Sequence, residues 1–296
     1  MRDITTSETM TVDHLEHASG ALKILIVGAG IGGLTAAIAL RQQGHDVTIY
    51  EQSKLAQETG AAIHIASNCN GSLRRLGLDV ADIGGVECRG IVEYRPDGGL
   101  NYAIDLDKTP KLWSHPWHLV HRAHLHTALK EMAVGLQGPG QPVKLLVASQ
   151  VETVNEHTAT IILTTGEQVK GHLIVGADGV HSRTRASIAG GDLKPFDSGK
   201  SAFRFLIPTE VLATDPKTAG LVSKPWVTMW IGEDRRLIQY PCVGGTMLNY
   251  VAIHPSKDSE ADITGKGVDA LRYFARIRSS LMITQDGKKP GARLGC

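Results

Sequence analysis

Gly28, Gly30 and Gly33 stand in Gly28-Ala29-Gly30-Ile31-Gly32-Gly33, a G-x-G-x-x-G spacing that places bare backbone where side chains would otherwise project. In such a turn the first glycine permits the tight reversal and the second lets the main chain approach a pyrophosphate. The third lets a helix pack closely on a strand. Glu51, about 20 residues further on, is where an acid would accept hydrogen bonds from a ribose diol. A second turn, Gly176-Ala177-Asp178-Gly179, adds a carboxylate at Asp178, with Arg183 just beyond it. Two such turns point to one bound dinucleotide. An acid at Glu51 favours an unphosphorylated ribose, hence FAD or NAD over NADP, and leaves the first two open.

The elements around these residues are the ones the chemistry needs. Lys23-Ile24-Leu25-Ile26-Val27 reads as a buried parallel strand, and Leu34 to Leu40 continues at helical spacing. The glycines therefore sit where a strand hands over to a helix, and the helix N-terminus offers free N–H groups and a positive dipole end to phosphates. Gly44 closes that helix, and Asp46 to Tyr50 forms a second strand ending at Glu51. Downstream, the pattern predicts a helix over Asn70 to Leu76 and strands at Gly90 to Tyr94, Leu100 to Ile104 and Trp117 to Val120. A helix follows over Leu125 to Met132, with Arg122 at the strand-to-helix junction. A β-meander over Lys144 to Val154, Thr158 to Thr164 and Gln168 to Lys170 leads into the strand ending at Val175, which delivers the second turn. Beyond Pro195 the residues alternate as strands, Ser201 to Leu206, Val227 to Ile231, Leu237 to Tyr240 and Met247 to Ile253. That change predicts a separate antiparallel lobe.

Composition narrows the function classes. The 296 residues are 42% hydrophobic and 21% charged, enough for a sizeable core and more than one lobe. A formal net charge of +1 with no clustered basic face gives no electrostatic case for nucleic acid. No apolar run approaches the roughly 20 residues of a membrane helix, and the first residues lack a signal-peptide core. The expectation is an intracellular, cytoplasmic protein without a membrane span. Cys69, Cys88, Cys242 and Cys296 are scattered without metal-ligand spacing and read as reduced. His115, His118, His121, His124 and His126 crowd one stretch, but a strand followed by a helix would point them in different directions, so no metal site is expected.

The segment Val175-Gly176-Ala177-Asp178-Gly179-Val180-His181-Ser182-Arg183-Thr184-Arg185, taken with the first turn and Glu51, resembles the FAD-dependent aromatic-ring monooxygenases, in particular fungal enzymes similar to salicylate hydroxylase. Gly60-Ala61-Ala62-Ile63 with Asn68, Val120-His121-Arg122-Ala123-His124-Leu125-His126, Phe203-Arg204-Phe205 and Tyr240-Pro241 carry the same resemblance, which runs from about Ile24 to His254. It implies an α/β fold: a Rossmann-like FAD-binding domain, discontinuous in sequence, with an antiparallel β-sheet substrate lobe. It implies FAD as cofactor and NAD(P)H as co-substrate, and a small aromatic, phenolic substrate hydroxylated with O2. Gly28, Gly30, Gly33 and Glu51 would hold the ADP half, and Ala62 and Arg122 fall where the family contacts the cofactor. The Asp178-Gly179 segment with Arg183 would help place FAD and the pyridine nucleotide. Arg204 and Tyr240 match the positions of an arginine and a tyrosine that act on substrate. A guanidinium beside a phenol favours the phenolate, and a tyrosine could pass the proton or hold the ring oxygen. Read from the residues alone, Asp178 is a turn residue before glycine, Arg183 and Arg122 are surface arginines, and Phe203, Phe205 and Tyr240 are alternating strand positions.

The expected division is a disordered tail over 1–22, a cofactor domain over 23–82 and 117–196, and a substrate lobe over 83–116 and 197–275. The remaining 276–296 form an atypical C-terminal tail. Family members continue into a further Gly-Asp-Ala-Ala-His segment near the flavin, which this sequence lacks. A truncated, catalytically silent relative that binds nucleotide weakly or not at all is therefore the first alternative, and an NAD-dependent oxidoreductase the second. The sequence names no protein partner and leaves oligomeric state open.

Overall fold

The computed structural model describes residues 20–54, 60–109, 113–191 and 193–257. The expected tail over 1–22 falls almost wholly outside the described residues, and the expected tail over 276–296 entirely so.

The N-terminal unit is built on a parallel sheet. β1 (Lys23–Val27), β2 (Asp46–Tyr50), β8 (Lys144–Leu146) and β12 (Leu173–Gly176) lie in the order β12-β1-β2-β8, every neighbouring pair parallel. Both faces of β1 are covered, which is why its run of Ile24, Leu25 and Ile26 is apolar without alternation and fully buried. Each such side chain contributes roughly 1.5–3 kcal/mol. One face packs under α1 (Ile31–Gln42) and α3 (Arg122–Val134) through Leu34, Ala37, Ile38, Leu125 and Leu129. The other packs against a three-stranded meander, β9 (Val151–Asn155), β10 (Thr160–Leu163) and β11 (Gln168–Lys170).

The α1 and α3 helices are tied by Arg41. Its side chain is 1% exposed and donates to five carbonyls, those of Met132, Ala133, Gln137, Pro139 and Gly140. The guanidinium thus meets the carbonyl end of α3, where a cation is favoured, and holds the loop that follows.

A small sheet joins this unit to the second lobe. β3 (Ala62–Ile65) and β4 (Val86–Glu87) flank β7 (His118–His121) in the order β3-β7-β4. α2 (Ser67–Arg75) follows β3, and Asn70 at its start donates to the Pro116 carbonyl at 2.8 Å and to His118 Nδ1 at 3.2 Å.

The second lobe is a six-stranded sheet, β13-β16-β15-β14-β5-β6, made of β5 (Gly90–Tyr94), β6 (Leu100–Asp105), β13 (Lys200–Pro208), β14 (Trp226–Ile231), β15 (Arg236–Cys242) and β16 (Met247–Pro255). It is antiparallel except where β14 meets β5. Phe203, Phe205, Leu237, Leu248, Tyr250 and Trp230 form the face packed against Leu212 of α5 (Thr209–Ala213) and Val222. The opposite face, with Leu206, Ile238, Tyr240, Cys242, Val227 and Met229, packs on Ala62, Trp117 and Leu119 of the small sheet. α4 (Thr184–Ala189) follows the second glycine turn.

One sequence expectation is revised. Lys144 to Val154 is not one strand of the meander. Lys144–Leu146 pairs in parallel with β2, the chain bends at Ala148 (φ 52°), and only Val151–Asn155 enters the meander.

Candidate functional site

The first glycine turn has the geometry a dinucleotide requires. Gly28 has φ +101°, and its N–H donates to the Tyr50 carbonyl at 2.8 Å. A Cβ on Gly33 would collide with the Gly28 carbonyl oxygen, so the third glycine sets the approach of α1 to β1. Gly30 and Gly32 face open space, where a Cβ would meet nothing within 4 Å. The start of α1 has no side-chain cap and no acid in its first turn. Its free N–H groups therefore face outward as an anion cradle.

Glu51 lies where β2 ends. One carboxylate oxygen accepts from Ala29 N–H and the other from Ser53 N–H, each at 2.7 Å. Glu51 thus braces the turn whose outer surface it borders, and each oxygen keeps a lone pair for a diol. A buried residue supports the same turn from beneath: His126 Nε2–H donates to the Ala29 carbonyl at 2.8 Å.

The second turn is interlocked with the first. Ala177 N–H donates to the Val27 carbonyl at 2.8 Å, and a Cβ on Gly28 would come within 2.5 Å of the Ala177 carbonyl oxygen. Asp178 turns inward. One of its oxygens accepts from Ser182 Oγ at 2.7 Å and Thr184 Oγ1 at 2.6 Å, the other from the backbone N–H of Arg183 at 2.7 Å and of Thr184 at 3.0 Å. Burial pushes its carboxyl up, but these hydrogen bonds together outweigh it and hold the pKa below the usual value of 3.8. The carboxylate is spent on folding its own segment, which leaves Gly179 (φ +80°) and the side chain of Arg183 exposed above it.

Ala62 and Arg122 meet at the edge of the small sheet. Arg122 starts α3, its N–H donates to the Ala61 carbonyl at 3.0 Å, and its Cδ lies 3.6 Å from where a Gly60 Cβ would be. Ala62 is buried and held at both backbone groups by the second lobe. Its N–H donates to Asn249 Oδ1 at 3.1 Å, and its carbonyl accepts from the Tyr240 hydroxyl at 2.8 Å.

Arg204 and Tyr240 lie on one face of the six-stranded sheet. Arg204 is opposite Val251, itself opposite Ile238; Leu206 is opposite Asn249, itself opposite Tyr240. Residues directly opposite, and residues two apart along a strand, share a face. Arg204 is exposed on the face that looks toward Ala62, whereas Tyr240 is 3% exposed with its proton committed to the Ala62 carbonyl. Burial drives the Tyr240 pKa up to about 12, against the lowering effect of the Arg204 charge. Tyr240 in this arrangement is a brace between lobes; passing a proton would require it to release Ala62.

Asn249 and His64 are not singled out by the sequence, and His126 enters it only as a member of a histidine cluster without metal geometry. Asn249, a polar residue in the buried strand Met247–Pro255, was the visible signal; the two histidines carried none that separates a brace from a surface residue.

This geometry is that of a known family. The chain matches the FAD-binding domain family over residues 21–285 and belongs to it. It is 32% identical to hispidin-3-hydroxylase of Neonothopanus nambi over 287 residues, covering 90% of this chain and 68% of that one. It is 31% identical to 3-amino-4-hydroxybenzoate 2-monooxygenase of Streptomyces cremeus over 241 residues, covering 80% of this chain and 58% of the relative. Among solved structures it resembles the tetrameric form of 2-methyl-3-hydroxypyridine-5-carboxylic acid oxygenase, with a TM-score of 0.70 and 25% identity over 88% of this chain and 66% of that one. The chain therefore spans about three-fifths to two-thirds of the length of such relatives. FAD is the dinucleotide of this family, and the open glycine cradle, the uncapped helix start and Glu51 suit its ADP half.

Proposed function

We propose that this chain carries the FAD-binding and substrate-facing part of a flavoprotein monooxygenase that hydroxylates an electron-rich, phenolic ring with NAD(P)H and O2. The observation that carries the reading is β3: its Ala62 end touches the glycine-turn unit through Arg122 and Ala61, and the sheet face bearing Arg204 through Asn249 and Tyr240. One short strand thus sets the distance between the cofactor cradle and the surface on which a ring would lie.

FAD, when bound, supplies the redox chemistry by which electrons from NAD(P)H reach O2. The chain's own residues do the rest. Gly28, Gly30 and Gly33 shape the cradle, and the N–H groups at the start of α1 meet the pyrophosphate. Glu51 accepts from the ribose hydroxyls, and Ala62 and Arg122 border the cofactor. Asp178 folds the segment that presents Gly179 and Arg183. Arg204 stabilises the phenolate form of the substrate by charge, which raises electron density at the carbon to be hydroxylated. Tyr240 acts by holding Ala62 in register beneath that ring. The cofactor unit over 23–82 and 117–196 and the substrate lobe over 83–116 and 197–275 divide the work accordingly.

The reading is tested with Arg204→Ala. It should abolish hydroxylation while FAD stays bound, since Arg204 is exposed. Full product formation by that variant would end the phenolate role.

A further inference from the structure

Resting on the reading of the Arg204 face beside β3 as an aromatic hydroxylase site, we propose that His64 is its specificity-determining residue, hydrogen-bonding through an imidazole nitrogen to an oxygen substituent of the substrate ring. The placement follows from β3. Ile63 and Ile65 pack into the helix-backed core, so Ala62 and His64, which alternate with them, face the second lobe.

The His64 ring is held in direction by aromatic neighbours. Its centroid lies 4.4 Å from that of Tyr240, nearly perpendicular at 85°, and 5.3 Å from that of Trp117. Tyr240 is itself fixed by its bond to Ala62. The imidazole therefore stands on a rigid corner, yet remains solvent-accessible, with neither ring nitrogen partnered among the described residues. Desolvation beside its aromatic neighbours pushes its pKa down to about 4, so it is neutral near pH 7 and offers one N–H donor and one bare nitrogen acceptor.

That chemistry complements Arg204. A guanidinium only donates and recognises negative charge, whereas a neutral imidazole can pair with a hydroxyl in either sense. A site built to hydrogen-bond a substrate hydroxyl discriminates against the analogue lacking it. At a solvent-accessible position one such bond is worth about tenfold in affinity.

The test is a tryptophan-fluorescence titration of the full chain, which needs no turnover because Trp117 lies beside the proposed contact. The ligands are 3-amino-4-hydroxybenzoate and 3-aminobenzoate, identical except for the ring hydroxyl. Wild type should bind the hydroxylated ring about tenfold more tightly. His64→Phe, which keeps the aromatic corner, should lose that preference while binding 3-aminobenzoate as wild type does, and His64→Gln should recover part of it. Circular dichroism of each variant checks the fold. A His64→Phe protein that keeps the preference overturns the His64 assignment and leaves the aromatic reading standing. A wild type that binds neither ligand, with or without FAD, overturns both.

Discussion

Replacing Tyr240 with phenylalanine removes one oxygen and leaves the ring. In the structure that oxygen donates to the Ala62 carbonyl at 2.8 Å, with Tyr240 3% and Ala62 2% exposed. The ring contacts with His64 and the apolar junction survive the change, so the loss is the hydrogen bond plus the cost of a buried carbonyl left without a partner. An average intramolecular hydrogen bond contributes about 1 kcal/mol, and an orphaned buried acceptor costs about 1–3 kcal/mol. Tyr240→Phe should therefore destabilise the protein by about 2 kcal/mol. For a protein of this size that is a fall in Tm of about 3 °C. Because Ala62 also borders the Arg122 turn, retained FAD should fall in parallel. The assay is a thermal melt followed by circular dichroism, with bound flavin measured on the same samples by visible absorption. A Tyr240→Phe protein that melts within a degree of wild type and keeps its flavin, yet forms no hydroxylated product, would refute the brace and return Tyr240 to proton transfer.

Further outcomes follow from other contacts. Gly33→Ala places a methyl against the Gly28 carbonyl oxygen, so purified variant should carry no flavin absorbance even where circular dichroism shows it folded. Arg41→Met strips the partner from five carbonyls; some lie in a surface loop and can rehydrate, so the expected loss is about 3 kcal/mol, read as a lower denaturation midpoint in urea with an unchanged slope. Asp178 has its folded pKa held below 3.8, so the unfolded chain takes up the proton first. Its stabilising contribution is complete above about pH 4 and fades as pH falls through the folded value, and Asp178→Asn should flatten that part of the acid-unfolding curve. His64 has the opposite charge type: its folded pKa of about 4 lies below 6.5, so stability falls as pH drops from 6.5 toward 4, and His64→Gln should remove that dependence.

The strand, glycine turn and helix of the proposed cofactor cradle are legible because backbone chemistry leaves marks in sequence. A strand without alternation, a glycine at each position where a Cβ would collide or block, and an acid at the next strand end are consequences of local geometry, and all fall where expected in Lys23–Val27, Ile31–Gln42 and Asp46–Tyr50. The second lobe was legible from alternation, which also placed Arg204 and Tyr240 on strands. What could not be read is long-range pairing. Whether Lys144 extends a meander or joins β2 depends on a bend at Ala148, a residue with no intrinsic preference for φ 52°. The Asp178 segment is read from sequence as helping to place the cofactor, and the four donors within six residues that meet its carboxylate are a local fold the sequence does not announce. His126 and Tyr240 find their acceptors 97 and 178 residues away, and Arg41 finds its carbonyls 91 to 99 residues away. A histidine, a tyrosine or an arginine in a periodic pattern gives no sign of such a partner.

The claim on which the rest stands is that the glycine turns and the Arg204 face form a working flavin site. The direct measurement is the visible spectrum of the purified chain after FAD is added and the excess removed, followed by NAD(P)H under air. The expected result is retained flavin absorbance that bleaches on reduction and returns as oxygen is consumed. A protein shown to be folded that retains no flavin would contradict it.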